Sequence, residues 1–240
     1  MEVLTIAGVK LENLYKSYRV AEKHLTVLDG LTAEFPEESI TVILGRSGCG
    51  KTTLLRILGG FEAYEKGTLS APPRHKTGMV FQEPRLMPWL TVWKNITFGV
   101  PKSRLSPPAI QELIATVGLA GFEKAYPAQL SGGMQQRAAL ARALAYDPDL
   151  ILMDEPFAAL DHFTREAMQA ELLRIFALHK KTIVFVTHSI DEALLLGQKI
   201  LVLDQGKIQR QFSLENFAYP RDILSPELIG MKKDIITTIK

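Results

Sequence analysis

Residues 40–58 read ITVILGRSGCGKTTLLRIL, and this stretch decides the fold class. The β-branched apolar run predicts a buried strand over Ile40–Leu44, and TLLRIL predicts a helix over Thr53–Leu58. Between them, residues 45–52 match G-x-x-x-x-G-K-[ST], a loop that holds phosphate between a strand and a helix. Its glycines let backbone N–H groups turn toward an anion, and the helix N-terminus adds positive charge. The stretch therefore predicts an α/β fold with a nucleotide site.

Each residue of this phosphate loop has an expected part. Lys51 would reach the β- and γ-phosphates, and the Thr52 hydroxyl would ligate Mg²⁺. Cys49 is either a small residue at a variable position or, if exposed, a thiol whose alkylation would block nucleotide binding. The expected nucleotide-binding residues here are Gly45, Arg46, Ser47, Gly48, Cys49, Gly50, Lys51, Thr52 and Thr53.

Further along the chain, apolar runs alternate with helical patterns. The runs predict buried strands at Leu150–Met153, Thr182–Val186 and Ile200–Leu203, and the periodicity predicts helices over Met134–Ala145 and Thr164–Leu178. Such alternation is typical of a largely parallel sheet covered on both faces. The first 40 residues differ, because VKLENLYKSYRV and TVLDGLTAEF predict half-exposed strands of an antiparallel flap.

A proline-rich segment interrupts this alternation. Residues 83–130 contain six of the 13 prolines, a density that disfavours central strands. Short helices such as Pro108–Val117 fit better, because proline is tolerated in a first helical turn. We therefore predict a helical insertion over about 83–145 within a single domain spanning 1–240. Trp89 and Trp93 in this insertion are either core anchors or part of an exposed docking surface.

The composition limits the class of protein. Hydrophobic residues make up 47% and charged residues 22%, as in ordinary globular proteins. Lys and Arg number 28 against 26 Asp and Glu, so the net charge of +2 gives no electrostatic argument for a nucleic-acid partner. The single cysteine excludes an intrachain disulfide and favours a reducing compartment. We expect neither a signal peptide nor a membrane span.

The second buried strand ends in two carboxylates, Asp154 and Glu155. Adjacent strand residues point to opposite faces, so the two cannot share one role. Asp154 suits the Mg²⁺ shell, which leaves Glu155 to polarise a water for attack on the γ-phosphate. His188 and Gln82 also follow apolar runs, at the sheet edge where α/β folds bind ligands. From spacing alone, these last two are either nucleotide contacts or structural polar residues.

A second candidate anion site lies before the helix that ends at Ala145. Ser131 is a good N-cap, and Gly132 and Gly133 would expose backbone N–H groups. The segment has no lysine and no Mg²⁺ ligand, so it looks like half of a site that clamps a phosphate held by another surface. An ordinary capped helix after a loop is the alternative.

Taken together, these segments resemble the nucleotide-binding subunit of ABC transporters, over essentially the whole chain. GRSGCGKTT is similar to the Walker A loop, FQEP to the Q-loop, and LSGGMQQR to the signature motif. LILMDEP resembles the Walker B strand with its catalytic glutamate, FAALD the D-loop, and VTH ends in what resembles the switch histidine, His188. The resemblance implies a P-loop NTPase core of the ABC ATPase type, with an N-terminal antiparallel β subdomain and a helical subdomain insertion.

The resemblance also implies roles for particular residues. Tyr18 lies where an aromatic residue stacks on adenine, and Tyr15 is a nearby competitor for that role. In a head-to-tail dimer that sandwiches two ATP molecules, residues 131–133 of one subunit would complete the γ-phosphate site of the other. The implied catalytic residues are Lys51, Glu155 and His188, and the implied Mg²⁺ ligands are Thr52, Gln82 and Asp154.

Two stretches point to a branch of this family. MVFQEPRLMPWLTVWKNITFGV and YPRDILSPELIGMKKDI are similar to importers of nitrate, sulfonates and taurine. That branch implies a Mg²⁺-dependent ATPase, peripheral at the cytoplasmic face of the membrane. Its implied partners are permease subunits docked on the helical insertion, a second copy of the ATPase and, indirectly, a substrate-binding protein.

Two other functions remain open on the sequence. One is a soluble ABC-type ATPase of DNA maintenance or translation, and the other is a transporter subunit for a different cargo. The first is disfavoured, because the span between Gly45 and Ser131 is too short for a long coiled coil and only one Walker A loop is present.

Overall fold

The computed structural model describes residues 8–72, 76–158 and 160–239. The strands, in chain order, are β1 (Val9–Val20), β2 (Lys23–Phe35), β3 (Ile40–Leu44), β4 (Lys66–Ser70), β5 (Thr77–Val80), β6 (Leu150–Asp154), β7 (Thr182–Thr187), β8 (Lys199–Asp204) and β9 (Lys207–Ser213). The helices are α1 (Lys51–Leu58), α2 (Val92–Ile96), α3 (Pro107–Thr116), α4 (Gly132–Ala145), α5 (His162–His179), α6 (Ile190–Leu196) and α7 (Pro226–Ile239). Two short 3₁₀ helices cover Lys102–Arg104 and Pro127–Gln129.

The chain folds as two compact units. Unit 1 comprises residues 1–75 together with 180–240, and unit 2 comprises residues 76–179. The expectation of one domain over 1–240 stays a prediction. Among the described helices, none is both long enough and apolar enough to cross a membrane.

Unit 1 contains the strand that leads into the phosphate loop. β3 is buried at all five positions and lies between β7 and β8, parallel to both, while β9 runs antiparallel to β8. Burial on both faces explains why ITVIL is apolar at every position except Thr41, rather than alternating. Leu44 pairs with Thr187, so the phosphate loop and His188 leave two neighbouring strands at the same edge of the sheet.

A separate three-stranded sheet in unit 1 has the order β2-β1-β4 and is antiparallel throughout. This confirms the antiparallel flap that the first 40 residues predict. Its β1–β2 register shifts at three points between Leu11 and Ser17, and Asn13 in this stretch has a φ of 48°. Such bulges change the direction in which the following side chains point.

Unit 2 holds the parallel pair β5 and β6 together with helices α2 to α5. The proline-rich segment is helical where the sequence predicts it: α3 begins at Pro107 and α4 ends at Ala145. An apolar cluster packs these helices, and its buried members include Val92, Ile96, Ile110, Ile114, Leu119 and Leu130.

The two tryptophans of the insertion have different environments. Trp93 on α2 packs against this apolar cluster, whereas Trp89 is 71% exposed. Asn95 is fully buried and ties down the loop that carries Trp89, since its amide accepts from the Met87 N–H and donates to the Met87 and Leu90 carbonyls. Trp93 is therefore a core anchor, and Trp89 is an aromatic side chain presented on a firmly held loop.

Candidate functional site

The phosphate loop runs from the end of β3 directly into α1. Gly48 has a φ of 81° and Gly50 a φ of 107°, backbone conformations that L side chains rarely adopt. At Gly45, a Cβ atom would lie only 2.3 Å from the Leu203 carbonyl oxygen. Glycine is therefore required at these three positions for the loop to take this path. The helix begins at Lys51, two residues before the sequence predicts, because the left-handed turn at Gly50 starts it.

Lys51 is the buried cation of the loop, with 5% of its surface exposed. Its Nζ donates to the carbonyl oxygens of Gly45 and Arg46, both at 2.9 Å. These bonds hold the ammonium group across the loop, while Arg46, Ser47 and Gly48 stay exposed. The loop thus combines a cation, an exposed glycine-rich backbone and a helix N-terminus, and this combination is suited to binding a polyphosphate.

Cys49 lies inside the loop and is buried. Burial raises the pKa of its thiol, against the opposing effect of the nearby Lys51 ammonium. The interpretation of Cys49 as an exposed, readily alkylated thiol is therefore wrong, because a buried thiol of raised pKa is a poor nucleophile. It is a small residue packed beneath the loop.

His188 stands beside the phosphate loop. It is exposed, and it lines a cavity of about 270 Å³ together with Gly45 and Arg46. The far wall of this cavity is formed by Ile190 and by two residues of α7, Ile236 and Ile239. A C-terminal helix against the phosphate loop was not predicted from the sequence. The register of β3 with β7 explains why a histidine 143 positions beyond Gly45 reaches the same cavity.

Tyr18 and Tyr15 lie in different surroundings. The Tyr18 hydroxyl lies 3.4 Å from Thr53 Oγ1, on the first turn of α1, and donates a hydrogen bond to Glu62. Burial, and then this hydrogen bond, raise the pKa of Tyr18, while the same bond lowers the pKa of Glu62. Tyr15 instead turns its hydroxyl toward Gly30. Of the two tyrosines, Tyr18 is the one placed beside the helix that follows the phosphate loop.

In unit 2, Asp154 and Glu155 take different conformations. Asp154 is buried at the end of β6. Glu155 is not a strand residue: its φ is 44°, and its carbonyl accepts from the Ala158 N–H at 3.2 Å. The two carboxylates are thus separated by a sharp turn rather than by strand alternation. A non-glycine residue held at positive φ carries strain, and such residues cluster at functional sites.

The Ser131 segment forms the N-terminus of α4. Ser131 caps the helix, with its Oγ accepting from the Met134 N–H at 3.3 Å. Ser131 and Gly132 are exposed, and nothing lies within 4 Å of a Cβ built at Gly132. At Gly133 a Cβ would approach the Thr164 methyl to 2.8 Å. The N-terminus of α4 is therefore exposed, and the N–H groups at the start of a helix have no partner within it.

The same helix holds the loop of Gln82. Gln136 on α4 donates to the Phe81 carbonyl at 3.2 Å, and Arg142 donates to the carbonyls of Pro84 and Arg85 at 3.0 and 2.8 Å. Gln82 itself is exposed. These ties were not predicted, because Gln136 and Arg142 look like ordinary polar residues of a helix. They link the exposed Gln82 loop to the helix that Ser131 caps.

The residue types proposed for Mg²⁺ supply one carboxylate, Asp154, with the Thr52 hydroxyl and the Gln82 amide. Over residues 8–72, 76–158 and 160–239 the structure places no group of three or more His, Cys, Asp or Glu that could hold a metal ion by itself. One carboxylate and neutral oxygens suit Mg²⁺ bound largely through substrate phosphates, rather than a metal caged by protein.

Comparison with known proteins gives the chain's relatives. The profile of the ABC transporter family matches residues 28–158, and an AAA-domain profile matches residues 123–194. An ABC transporter ATP-binding protein of Methanocaldococcus jannaschii, MJ0412, is 44% identical over 245 residues, covering 97% of this chain and 91% of the relative. The aliphatic sulfonates import ATP-binding protein SsuB 2 of Rhodococcus jostii is 48% identical over 205 residues, covering 84% and 81%.

Solved structures agree with these relatives. The dimeric, post-hydrolysis state of the ATP-binding cassette MJ0796, bound to ADP and Pi, superposes with a TM-score of 0.77 at 32% sequence identity. The superposition covers 86% of this chain and 98% of that one.

Proposed function

Since this chain belongs to the ABC transporter family, as an ATP-binding and ATP-hydrolysing subunit, we propose that it powers import of an aliphatic sulfonate or a similar small anion. Nitrate and taurine are the other cargoes of this type. The observation that carries the proposal is the identity of 38–48% to several subunits named for aliphatic sulfonate import. The family membership predicted from the motifs is confirmed, and it favours a transporter over an ATPase of DNA maintenance or translation.

In the proposed mechanism, the phosphate loop binds the triphosphate of ATP through the backbone N–H groups of residues 46–52. Lys51 turns its ammonium from the loop carbonyls toward the β- and γ-phosphates. Thr52, Gln82 and Asp154 would hold Mg²⁺, which when bound neutralises charge on the phosphate oxygens. Tyr18 stacks on the adenine. Such stacking adds affinity through the face of the base rather than through hydrogen bonds to its polar groups.

Two residues are proposed to act at the γ-phosphate. Glu155 accepts a proton from the attacking water, and its backbone is held in a turn with a φ of 44° at the end of β6. His188, beside Gly45 in the cavity of unit 1, donates to an oxygen of the γ-phosphate and so holds it in line.

We propose a homodimer in which Ser131, Gly132 and Gly133 of each subunit bind the γ-phosphate on the other. The dimeric MJ0796 cassette supports this arrangement by similarity. The exposed first turn of α4 is suited to the role, because its free N–H groups and helix dipole attract an anion that another surface already holds.

Permease subunits are proposed to dock on the helical insertion and so hold the ATPase peripherally at the cytoplasmic face of the membrane. Trp89 supports this site, since an exposed aromatic on a loop fixed by a buried asparagine loses little entropy on binding. A substrate-binding protein would act from the other side, without touching this chain.

The proposed function is tested by purifying the complex and measuring what stimulates it. We expect an integral membrane protein to co-purify, and an alkanesulfonate with its binding protein to raise the ATPase rate of the reconstituted complex several-fold. Nitrate and taurine are the comparison ligands. Stimulation by DNA or ribosomes instead, with no membrane partner, would overturn the proposal.

Trp89→Ala should abolish co-purification with the permease. Removal of a tryptophan that becomes buried in an interface costs about 2 kcal/mol or more of binding free energy, a loss of at least about 30-fold in affinity. The matched control is Phe163→Ala, which removes an aromatic side chain that is 80% exposed outside the insertion. Permease capture should survive in the control. Equal capture by the Trp89 variant and the parent chain would exclude this docking surface.

A further inference from the structure

A loop that follows α1 is fastened across β1 at several points. The loop comprises residues 62–65, and the strand residues it contacts are Lys16, Ser17 and Tyr18. The Glu65 carboxylate accepts from both the N–H and the hydroxyl of Ser17, at 3.0 and 2.6 Å. The Lys16 ammonium donates to the Ala63 carbonyl at 2.9 Å. These contacts join two segments that lie more than 40 positions apart in the sequence.

Within this cluster, Tyr18 is contacted on its edge and on one face. Its hydroxyl donates to the Glu62 carboxylate and lies 3.4 Å from the hydroxyl of Thr53. The Lys16 ammonium lies 5.0 Å from the centre of the Tyr18 ring and 3.2 Å from the Glu62 carboxylate. Lys16 and Glu62 are both well shielded, with 15% and 17% of their side chains exposed. The ion pair is therefore less screened than an ordinary surface pair.

The arrangement leaves the tyrosine ring little freedom. A charge-assisted hydrogen bond fixes its hydroxyl, and the cation over one face fixes the tilt of its plane. Thr53 lies next to Thr52, so the same bond network connects the ring to the first turn of the phosphate-binding helix.

We propose that Glu62 and Lys16 are positioning residues for ATP, which hold the Tyr18 ring with one face covered by Lys16 and the other turned to the adenine. The inference rests on the proposed role of Tyr18 as the adenine-stacking residue. Glu62 and Lys16 thus contribute to affinity for the adenine base and not to affinity for the phosphates.

The test compares two probes, ATP and inorganic tripolyphosphate, whose binding to the full-length chain is measured by calorimetry. Glu62→Ala and Lys16→Met should weaken ATP binding about fivefold to tenfold and leave tripolyphosphate binding unchanged, at an unaltered kcat. Glu62→Gln, whose amide oxygen still accepts from Tyr18, should recover part of the affinity. Glu37→Gln, at an exposed turn before β3, is the matched control and should bind both probes like the parent chain.

A double-mutant cycle shows whether the effect passes through the tyrosine. Tyr18→Phe keeps the ring but loses the hydroxyl, so it should weaken ATP binding as Glu62→Ala does, and the double variant should be no worse than either. Additive losses would overturn the inference, and so would a parallel loss of tripolyphosphate binding. Lys51→Ala is the reference for a loss of tripolyphosphate binding, since this variant should bind both ATP and tripolyphosphate more weakly.

Failure of the proposed stacking role of Tyr18 would give a different pattern of ATP affinities. If Tyr18→Ala binds ATP as the parent chain does, Tyr18 is not the adenine-stacking residue and the proposed function is wrong at this point. If Tyr18→Ala loses ATP affinity while the Glu62 and Lys16 variants keep it, the stacking role stands and the positioning role is refuted.

Discussion

The Glu155→Gln protein should bind ATP as tightly as the parent chain and hydrolyse it on the order of 10³-fold more slowly, the range expected for loss of a general base. Glutamine has the same shape as glutamate, and the substitution leaves in place the backbone bond from the Ala158 N–H to the carbonyl of residue 155. The substitution removes the ability of the side chain to accept the proton. With hydrolysis blocked, the ATP-bound dimer should accumulate.

Two measurements check this result: steady-state phosphate release, and the elution volume of the chain with Mg²⁺ and ATP. Glu166→Gln on α5 is the matched control, because its carboxylate is exposed and lies 3.5 Å from the exposed imidazole of His162. The control should turn over normally and show no extra dimer. Normal phosphate release by the Glu155 variant would remove this residue as the base.

The sequence predicts the strand, loop and helix of residues 40–58 because the information there is local. A run of buried β-branched residues, a set of glycines at required positive φ and a helix pattern stand side by side along the chain. The fold class is confirmed by the similarity to the MJ0796 cassette. The same locality explains why the helical insertion could be predicted from its prolines.

Other parts of the site could not be predicted, because they depend on contacts between distant segments. Nothing in the spacing of Lys16 or Glu62 indicates that they meet at Tyr18, since the contact requires β1 and the loop after α1 to pack together. The wall that α7 contributes to the His188 cavity is a further case, because it requires Ile236 and Ile239 to lie close to Gly45, which is distant from them in the sequence. The burial of Cys49 likewise depends on how the loop closes over it.

Ser131→Arg should bind ATP normally as a monomer and should neither dimerise with Mg²⁺-ATP nor reach more than about a hundredth of the parent turnover, the effect of losing preorganised donors at a reacting phosphate. Ser131 and Gly132 are exposed at the first turn of α4, so a long side chain there projects outward rather than disturbing the core. It would occupy the space that the phosphate of the partner subunit needs. Size-exclusion chromatography and phosphate release test both parts.

The substitution also removes a helix cap, and a control is needed to separate the two effects. The Ser131 hydroxyl accepts from the Met134 N–H, a bond whose loss costs about 1 kcal/mol of stability. Ser106→Arg places the same side chain at the exposed N-cap of α3, where the serine side chain makes no capping bond, and should leave dimerisation intact. Thermal unfolding of all three proteins shows whether α4 remains folded. Dimers of the Ser131 variant that form at the parent ATP concentration would refute the shared site, because a phosphate clamped by residues 131–133 of the partner cannot coexist with an arginine there.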